Sequence, residues 1–244
     1  MNIKECLRIM GEKNASDLFY RAGGPARMRI DGRIVAVSDK ELSVEDAISA
    51  VEAITTESQR QSYKEHLDVD FGLFLEDIKQ RFRVSIFTQR NTPSIVIRQI
   101  NRAANSFEEM GLPKDALEKL CNESRGLVLL TGSTGSGKST TIASMIEYIN
   151  THNKKHILTI EEPIEFTFGD KQSIVNQREL GPDVFSYQIA LKAFALQSPD
   201  VIYIGNIRDY ETMATAMTAA ETGVLVLSTL HTINAAQTVE RIIN

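Results

Sequence analysis

The sequence predicts an α/β chain in two parts: a small α+β domain over residues 1–100 and a helix-covered parallel-sheet core over 113–244, joined by a linker at 101–112. Three observations predict it. The first hundred residues mix short alternating strands with amphipathic helices. From Leu127 onward, short and almost wholly apolar runs alternate with helical patterns, as strands buried on both faces of a parallel sheet require. At the start of that second rhythm stands Gly132-Ser133-Thr134-Gly135-Ser136-Gly137-Lys138-Ser139, which fits the spacing of a phosphate-binding loop at every required position.

In the first part, residues 3–10 form a short amphipathic helix, and 18–20 and 28–30 form short strands. Asp31-Gly32 makes a tight hairpin turn into a strand at 33–37. Ser43 followed by Asp46 reads as a helix cap, and Val44, Ala47, Ile48, Val51 and Ile54 then recur at helical spacing. A helix over 58–66 is followed by strands at 68–74, 82–87 and 94–100. Helices covering one side of an antiparallel sheet satisfy this pattern with the fewest layers.

Residues 101–105 read as linker, Ser106 with Glu109 as a capping box, and Gly111-Leu112-Pro113 as a break before a helix at 114–121. The core strands are expected at 127–130, 157–160, 201–204 and 224–230, and its helices at 140–149, 186–197 and 210–222. The 186–197 helix is expected to turn Ile189, Ala190, Ala193, Phe194 and Leu196 inward. A last helix covers 235–243, and the chain ends at Asn244 without a capping signal, which suggests a fragment.

The chemistry collects where core strands end. Gly132, Ser133, Thr134, Gly135, Ser136, Gly137, Lys138, Ser139 and Thr140 form the phosphate cradle: backbone N–H groups close around the phosphates, Lys138 meets the β- and γ-phosphates, and the Ser139 hydroxyl completes Mg²⁺ coordination. Glu161 and Glu162 follow a buried strand and emerge at the same edge, within reach of Mg²⁺ or water; the alternative is a solvated acidic turn. Asn206 ends the 201–204 strand where an acid would ordinarily stand, and its amide binds water but accepts no proton at neutral pH. His231 ends the 224–230 strand, where a neutral imidazole could sense a γ-phosphate. In the first domain Arg83 and Arg98 are placed to project from the sheet, with Arg81 and Arg90 on or beside strands and Arg102 in the linker. They are either solvated surface or arginines lent to a phosphate bound elsewhere.

Composition narrows the classes. Hydrophobic residues make up 42% of 244, enough for a proper core, and the net charge of −5 argues against a general nucleic-acid binder. Cys6 and Cys121 make neither a disulfide framework nor a metal spacing, nor do the four histidines show one. No signal segment or membrane-spanning run is visible, so any membrane attachment is expected through partners.

With these residues placed, the chain resembles the type IV pilus retraction ATPases, the PilT/PilU group of the secretion ATPase superfamily, over almost its whole length. The resemblance rests on Ser16-Asp17-Leu18, Asp31-Gly32-Arg33, Arg81-Phe82-Arg83-Val84-Ser85, Gln89-Arg90, the phosphate-loop block, Thr159-Ile160-Glu161-Glu162-Pro163-Ile164-Glu165, Val175-Asn176-Gln177-Arg178-Glu179, residues 199–209, Ala219-Ala220-Glu221-Thr222-Gly223 and Thr229-Leu230-His231-Thr232. It implies a PAS-like first domain, a RecA-like second domain, and homo-hexameric rings binding ATP and Mg²⁺. It further implies Glu161 as the Asp-box glutamate, His231 as the His-box histidine, and Arg83 and Arg98 as arginine fingers. Arg208 falls on the intersubunit or switch side of the Walker B strand. The partner implied is an inner-membrane pilus platform protein, with the ring cytoplasmic at the pilus base, without nucleic acid and without direct membrane insertion.

Three departures shape the expectation. Glu162 stands for the family's aspartate and Asn206 for its catalytic glutamate, and the family's chain continues past residue 244. Loss of the carboxylate at 206 should slow water activation far more than ATP binding. The expectation is therefore a slow motor, or a PilU-like accessory or ATP-switch subunit acting beside an active paralogue. An ATPase of a type IV or type II secretion system stays open as an alternative. A nucleic-acid helicase is the reading that charge and the first domain disfavour.

Overall fold

The structure, a computed structural model, describes residues 2–100, 105–232 and 234–243; the linker at 101–104, including Arg102, lies outside the described residues. The backbone divides into two units, Met1–Ile100 and Asn101–Asn244.

In the first unit, α1 (Ile3–Glu12) precedes β1 (Asp17–Arg21), β2 (Gly24–Ile30) and β3 (Arg33–Leu42). Helices α2 (Val44–Ile54) and α3 (Glu57–His66) lead to β4 (Asp68–Leu75), β5 (Gln80–Gln89) and β6 (Thr92–Gln99). The six strands form one antiparallel sheet in the order β3-β2-β1-β6-β5-β4. Ser43 and Asp46 cap α2 reciprocally, and Thr56 and Gln59 do the same for α3, a box the sequence reading missed. Strand β3 runs five residues beyond its expected end at Val37, to Leu42: after a register shift opposite Pro25–Arg27, Glu41 and Leu42 pair again with Pro25 and Gly24. Alternation sends Leu18, Tyr20, Met28, Phe82, Val84, Ile86, Ile95 and Ile97 into one core with Ile3, Leu7 and Met10 of α1 and Val51 of α2.

The opposite face carries charge. Arg29, Asp17, Arg98 and Arg83 lie in one row across β2, β1, β6 and β5. Asp17 is buried and accepts from Arg29 Nε and Arg98 Nε, each at 3.0 Å, and from Ser16 Oγ at 2.8 Å. Burial pushes its carboxyl up, but these hydrogen bonds and the Arg98 charge outweigh burial and hold it below the usual range. Its contribution to stability is therefore present above the ordinary aspartate pKa and is lost as pH falls through the lowered value. Asp17→Ala should cost roughly 1–3 kcal/mol at neutral pH, read by denaturant unfolding, and the difference from the unmodified chain should shrink in acid.

The second unit contains α4 (Lys114–Cys121), β7 (Gly126–Thr131), α5 (Lys138–His152), β8 (His156–Glu161), β9 (Ile174–Glu179) and α6 (Tyr187–Phe194). Then follow β10 (Val201–Ile204), α7 (Tyr210–Glu221), β11 (Leu225–Leu230) and α8 (Ala235–Ile243). The five strands are parallel, in the order β7-β11-β10-β8-β9. Neighbouring residues on one strand enter different cores. Ile157, Val201, Tyr203, Leu225 and Leu227 pack with α4 and α5, whereas Leu158, Ile160, Ile202, Ile204 and Val226 pack with α6 and α7. Burial on both faces is why these strands read as continuous apolar runs.

The extent and the inward face of the 186–197 helix are corrected here. Helix α6 stops at Phe194 and turns Tyr187, Ala190, Leu191 and Phe194 inward, a strict i, i+3, i+4, i+7 stripe. Ile189 is half exposed on its outer side and Leu196, beyond the helix end, is almost fully exposed. The expected Ser106–Glu109 box forms, with both of its hydrogen bonds, around a single turn ahead of α4. Strand β9 was not foreseen, because Asn176, Gln177 and Arg178 interrupt any apolar run.

Candidate nucleotide site

Parallel strands carry whatever follows them to one edge of the sheet. At that edge stand the glycine-rich loop after β7, Glu161 and Glu162 at the end of β8, Gly205-Asn206 after β10, and His231 after β11. The loop residues Ser133, Thr134, Gly135, Ser136 and Thr140 are exposed, and Ser139 is half-buried in the first turn of α5. Gly132 admits no side chain: a Cβ there would lie 2.7 Å from Ser136 Oγ, inside the cradle. Gly137 caps α5 in the left-handed conformation. Lys138 Nζ donates to Gly132 O at 2.9 Å and to Ser133 O at 2.8 Å, curling over the loop with its charge in the concavity. A helix N-terminus, a loop of backbone N–H groups and an ammonium facing one hollow fit a polyphosphate.

Glu161 is buried at 5% exposure. Thr159 Oγ1 donates to its Oε1 at 2.7 Å and Gln177 Nε2 to the same oxygen at 3.1 Å. Burial pushes the carboxyl up to about 7, against the hydrogen bonds from Thr159, Gln177 and the Glu165 backbone. That places a proton acceptor near the pH at which it would work. Gly205 lies against it. A Cβ on Gly205 would meet Glu161 Cα at 3.2 Å, and Gly205 N donates to Ile160 O at 2.8 Å. A side chain at 205 would have to push the ends of β10 and β8 apart by a few tenths of an ångström.

Asn206 carries a buried Oδ1 with no hydrogen-bond partner among the described residues. So does the hydroxyl of Tyr187 at the start of α6, which burial, followed by the Glu162 charge, pushes up to about 12. Orphaned buried polar atoms mark places where water or a bound group belongs. Glu162 Oε2 is paired with Arg208 Nη1 at 3.0 Å, across a cis peptide bond from Pro163. Asp209 caps α7 through Thr212, and Asp200 accepts from His156 N at the far end of β10. His231 is exposed.

The strand edge thus brings together the loop, Glu161, Glu162, Asn206, Arg208 and His231. Arg83 and Arg98 belong to the other unit, where they face each other on β5 and β6; Arg98 is held by Asp17, and Arg83 Nη2 lies 3.6 Å from Asp70. Thr159, Gln177 and Tyr187 were missed as site residues. The one available signal was the polar Asn176-Gln177-Arg178 run beside an otherwise apolar sheet.

From residue 2 to residue 244 the sequence matches the family model described as Type II/IV secretion system protein. The chain belongs to this family. It is 44% identical over 244 residues to the type IV pilus ATPase PilU of Pseudomonas aeruginosa, covering all of this chain and 63% of that protein. To the pilus retraction ATPase PilT of the same organism it is 40% identical, covering 70% of that protein. Its fold superposes on a crystal structure of the pilus retraction motor PilT with bound ADP at a TM-score of 0.92 and 45% identity, over 100% of this chain and 71% of that one. The Legionella pneumophila ATPase DotB follows at a TM-score of 0.79 and 27% identity, covering 99% of this chain and 68% of that one. The family member described here therefore has a RecA-like core that follows a small α+β domain in sequence. It spans less than two thirds of the PilU relative's length.

Proposed function

We propose that this chain is the ATP-binding and ATP-hydrolysing portion of a type IV pilus retraction motor, with hydrolysis slowed by Asn206. The observation that carries the reading is the Lys138 ammonium seated in a glycine-lined hollow at a helix N-terminus, in a fold that matches a retraction motor holding ADP.

In this reading the N–H groups of 132–140 and Lys138 bind the β- and γ-phosphates. Among the described residues no three His, Cys, Asp or Glu side chains converge on a metal position. The donor set suits Mg²⁺ held through phosphate oxygens and water, with the Ser139 hydroxyl as a protein ligand and Glu162 as an outer one. When bound, the ion neutralises charge on the β- and γ-oxygens. For Glu162 to take that role, Arg208 must release it. Glu161 accepts a proton from the attacking water, Asn206 orients that water through its amide, and His231 senses the γ-phosphate. Arg83 and Arg98 act as fingers on a phosphate bound by a neighbouring copy in a homo-hexameric ring. Opening and closing of the ring drives an inner-membrane platform protein from the cytoplasmic side, and pilin leaves the pilus base. No helix among the described residues is long and apolar enough to cross a membrane.

A second reading is a PilU-like accessory that binds ATP, turns it over little and acts beside an active paralogue. Asn206 and the 44% identity to PilU favour it. Both readings require nucleotide at Lys138. Lys138→Ala should weaken fluorescent-ADP binding by about 10–100-fold, the loss of one charge-assisted contact. Unchanged affinity would remove the site from this loop.

A further inference from the structure

Strand β9 lies at the sheet edge beside β8, with Gln177 in register with Thr159 and Glu179 with Glu161. Those four side chains lie on the face that α5 covers. Gln177 uses both ends of its amide. Its Nε2 donates to Glu161 Oε1 at 3.1 Å and to Phe166 O at 2.8 Å, and its Oε1 accepts from Phe168 N at 2.9 Å. Glu179, buried at 3% exposure, accepts from Ile164 N at 3.3 Å. The segment that leaves the Glu161-Glu162 pair is thereby pinned to β9 at residues 164, 166 and 168.

We propose that Gln177 is a positioning residue of the nucleotide site: it fixes the Glu161 carboxylate and the 164–168 segment to each other, so that neither moves alone. This rests on the reading of Glu161 as the group that meets the attacking water. The chemistry calls for a side-chain amide and for no other group. A carboxylate at 177 would accept from Phe168 N but could donate neither to Glu161 nor to Phe166 O. An asparagine is one methylene too short to bridge all three partners. Thr159 supplies the second donor to the same oxygen and touches none of the segment's backbone. The two donors can therefore be separated. Glu165, Glu179, Tyr187 and Tyr203 are the other titratable groups that face Glu161, and the side-chain donors to its carboxylate are Thr159 and Gln177.

Gln177→Glu keeps the acceptor for Phe168 N and removes the donors to Glu161 and Phe166 O, so it releases Glu161 while the segment stays held at residues 164 and 168. Turnover and fluorescent-ADP affinity are measured on the full chain for Gln177→Glu and Thr159→Val. Gln177→Glu is expected to lower kcat on the order of 10- to 100-fold, as a misplaced reacting group does, with ADP affinity kept within about twofold. Thr159→Val is expected to lower kcat less. A Gln177→Glu chain with unchanged kcat, or one that loses ADP affinity in step with kcat, overturns the proposal.

A second arm needs no turnover. In ¹⁵N-labelled protein the Gln177 side-chain amide protons should exchange slowly with solvent and should exchange faster in Glu161→Leu. Equal exchange in the two proteins overturns the proposal. A chain that releases no phosphate overturns the hydrolysis reading instead, and the exchange arm alone then decides the role of Gln177.

Discussion

Asn206→Glu is expected to raise the rate of phosphate release by about 10²–10⁴-fold, the usual worth of a positioned general base, with ATP affinity little changed. Position 206 lies one residue past the Gly205 that touches Glu161, at the end of a strand whose neighbours are fixed in register on both sides. A carboxylate there would arrive already oriented. The Asn206 oxygen is buried and unpartnered, so a ligand position exists for water, but the amide takes no proton from it. The same substitution sets a second carboxylate near buried Glu161, and like charges resist joint ionisation. The variant's turnover should therefore rise further between pH 7 and 8. Steady-state phosphate release across that range checks both statements. A variant no faster than the unmodified chain would mean that Glu161 already supplies all the base catalysis the site can use.

Glu161→Gln is expected to do the opposite to activity and to stabilise the fold. The carboxyl is pushed up to about 7 from an ordinary 4.5, with burial as the largest cause. Between those values the folded chain binds a proton that the unfolded chain does not, so stability falls as pH rises through that window. Above it, the ionised buried group costs roughly 3–4 kcal/mol at most, at about 1.4 kcal/mol for each pKa unit. A neutral glutamine of the same shape escapes that cost while still accepting from Thr159 Oγ1. Its melting temperature should exceed that of the unmodified chain at pH 8 and equal it near pH 4. Phosphate release should fall by roughly 10²-fold or more at both ends of the working range. A variant that is less stable at pH 8 would show that the charge is needed to hold β8 and β9 together. Higher stability gained with lower turnover is the usual trade at a functional site.

Much of this was legible in the sequence because backbone-driven features leave local marks. The loop spacing gave the phosphate hollow directly, and glycine at 132 and 137 is what that hollow demands. Apolar runs at 157–160, 201–204 and 224–230 read as strands buried on both sides, and the structure pairs them in parallel. Asp31-Gly32 reads as a hairpin turn because both residues sit at positive φ, 48° and 78°. What could not be read is set by contacts distant in sequence. Gln177 acquires its partners from residues 9 to 16 positions away, and nothing in an Asn-Gln-Arg run announces a strand. In the 186–197 helix Ala190 and Phe194 face inward as expected, but packing against β8 and β10 adds Tyr187 and Leu191 where the apolar pattern offers Ile189 and Leu196. The pairing of Glu162 with Arg208 joins two loops 46 residues apart, and Asp17 gathers Arg29 and Arg98 from the strands on either side of it. Pattern finds elements; only the assembled sheet edge shows which side chains meet.

In this reading the chain keeps the means to hold a nucleoside triphosphate and lacks the carboxylate at 206 that would make its hydrolysis fast. The most direct test measures two quantities on one preparation of the unmodified protein: the dissociation constant for ATP, and the rate of phosphate release at saturating ATP with Mg²⁺. The expected result is saturable binding that Lys138→Ala weakens, together with phosphate release at least about 10²-fold slower than that of Asn206→Glu. Absence of saturable binding, or release as fast as that of Asn206→Glu, would contradict it.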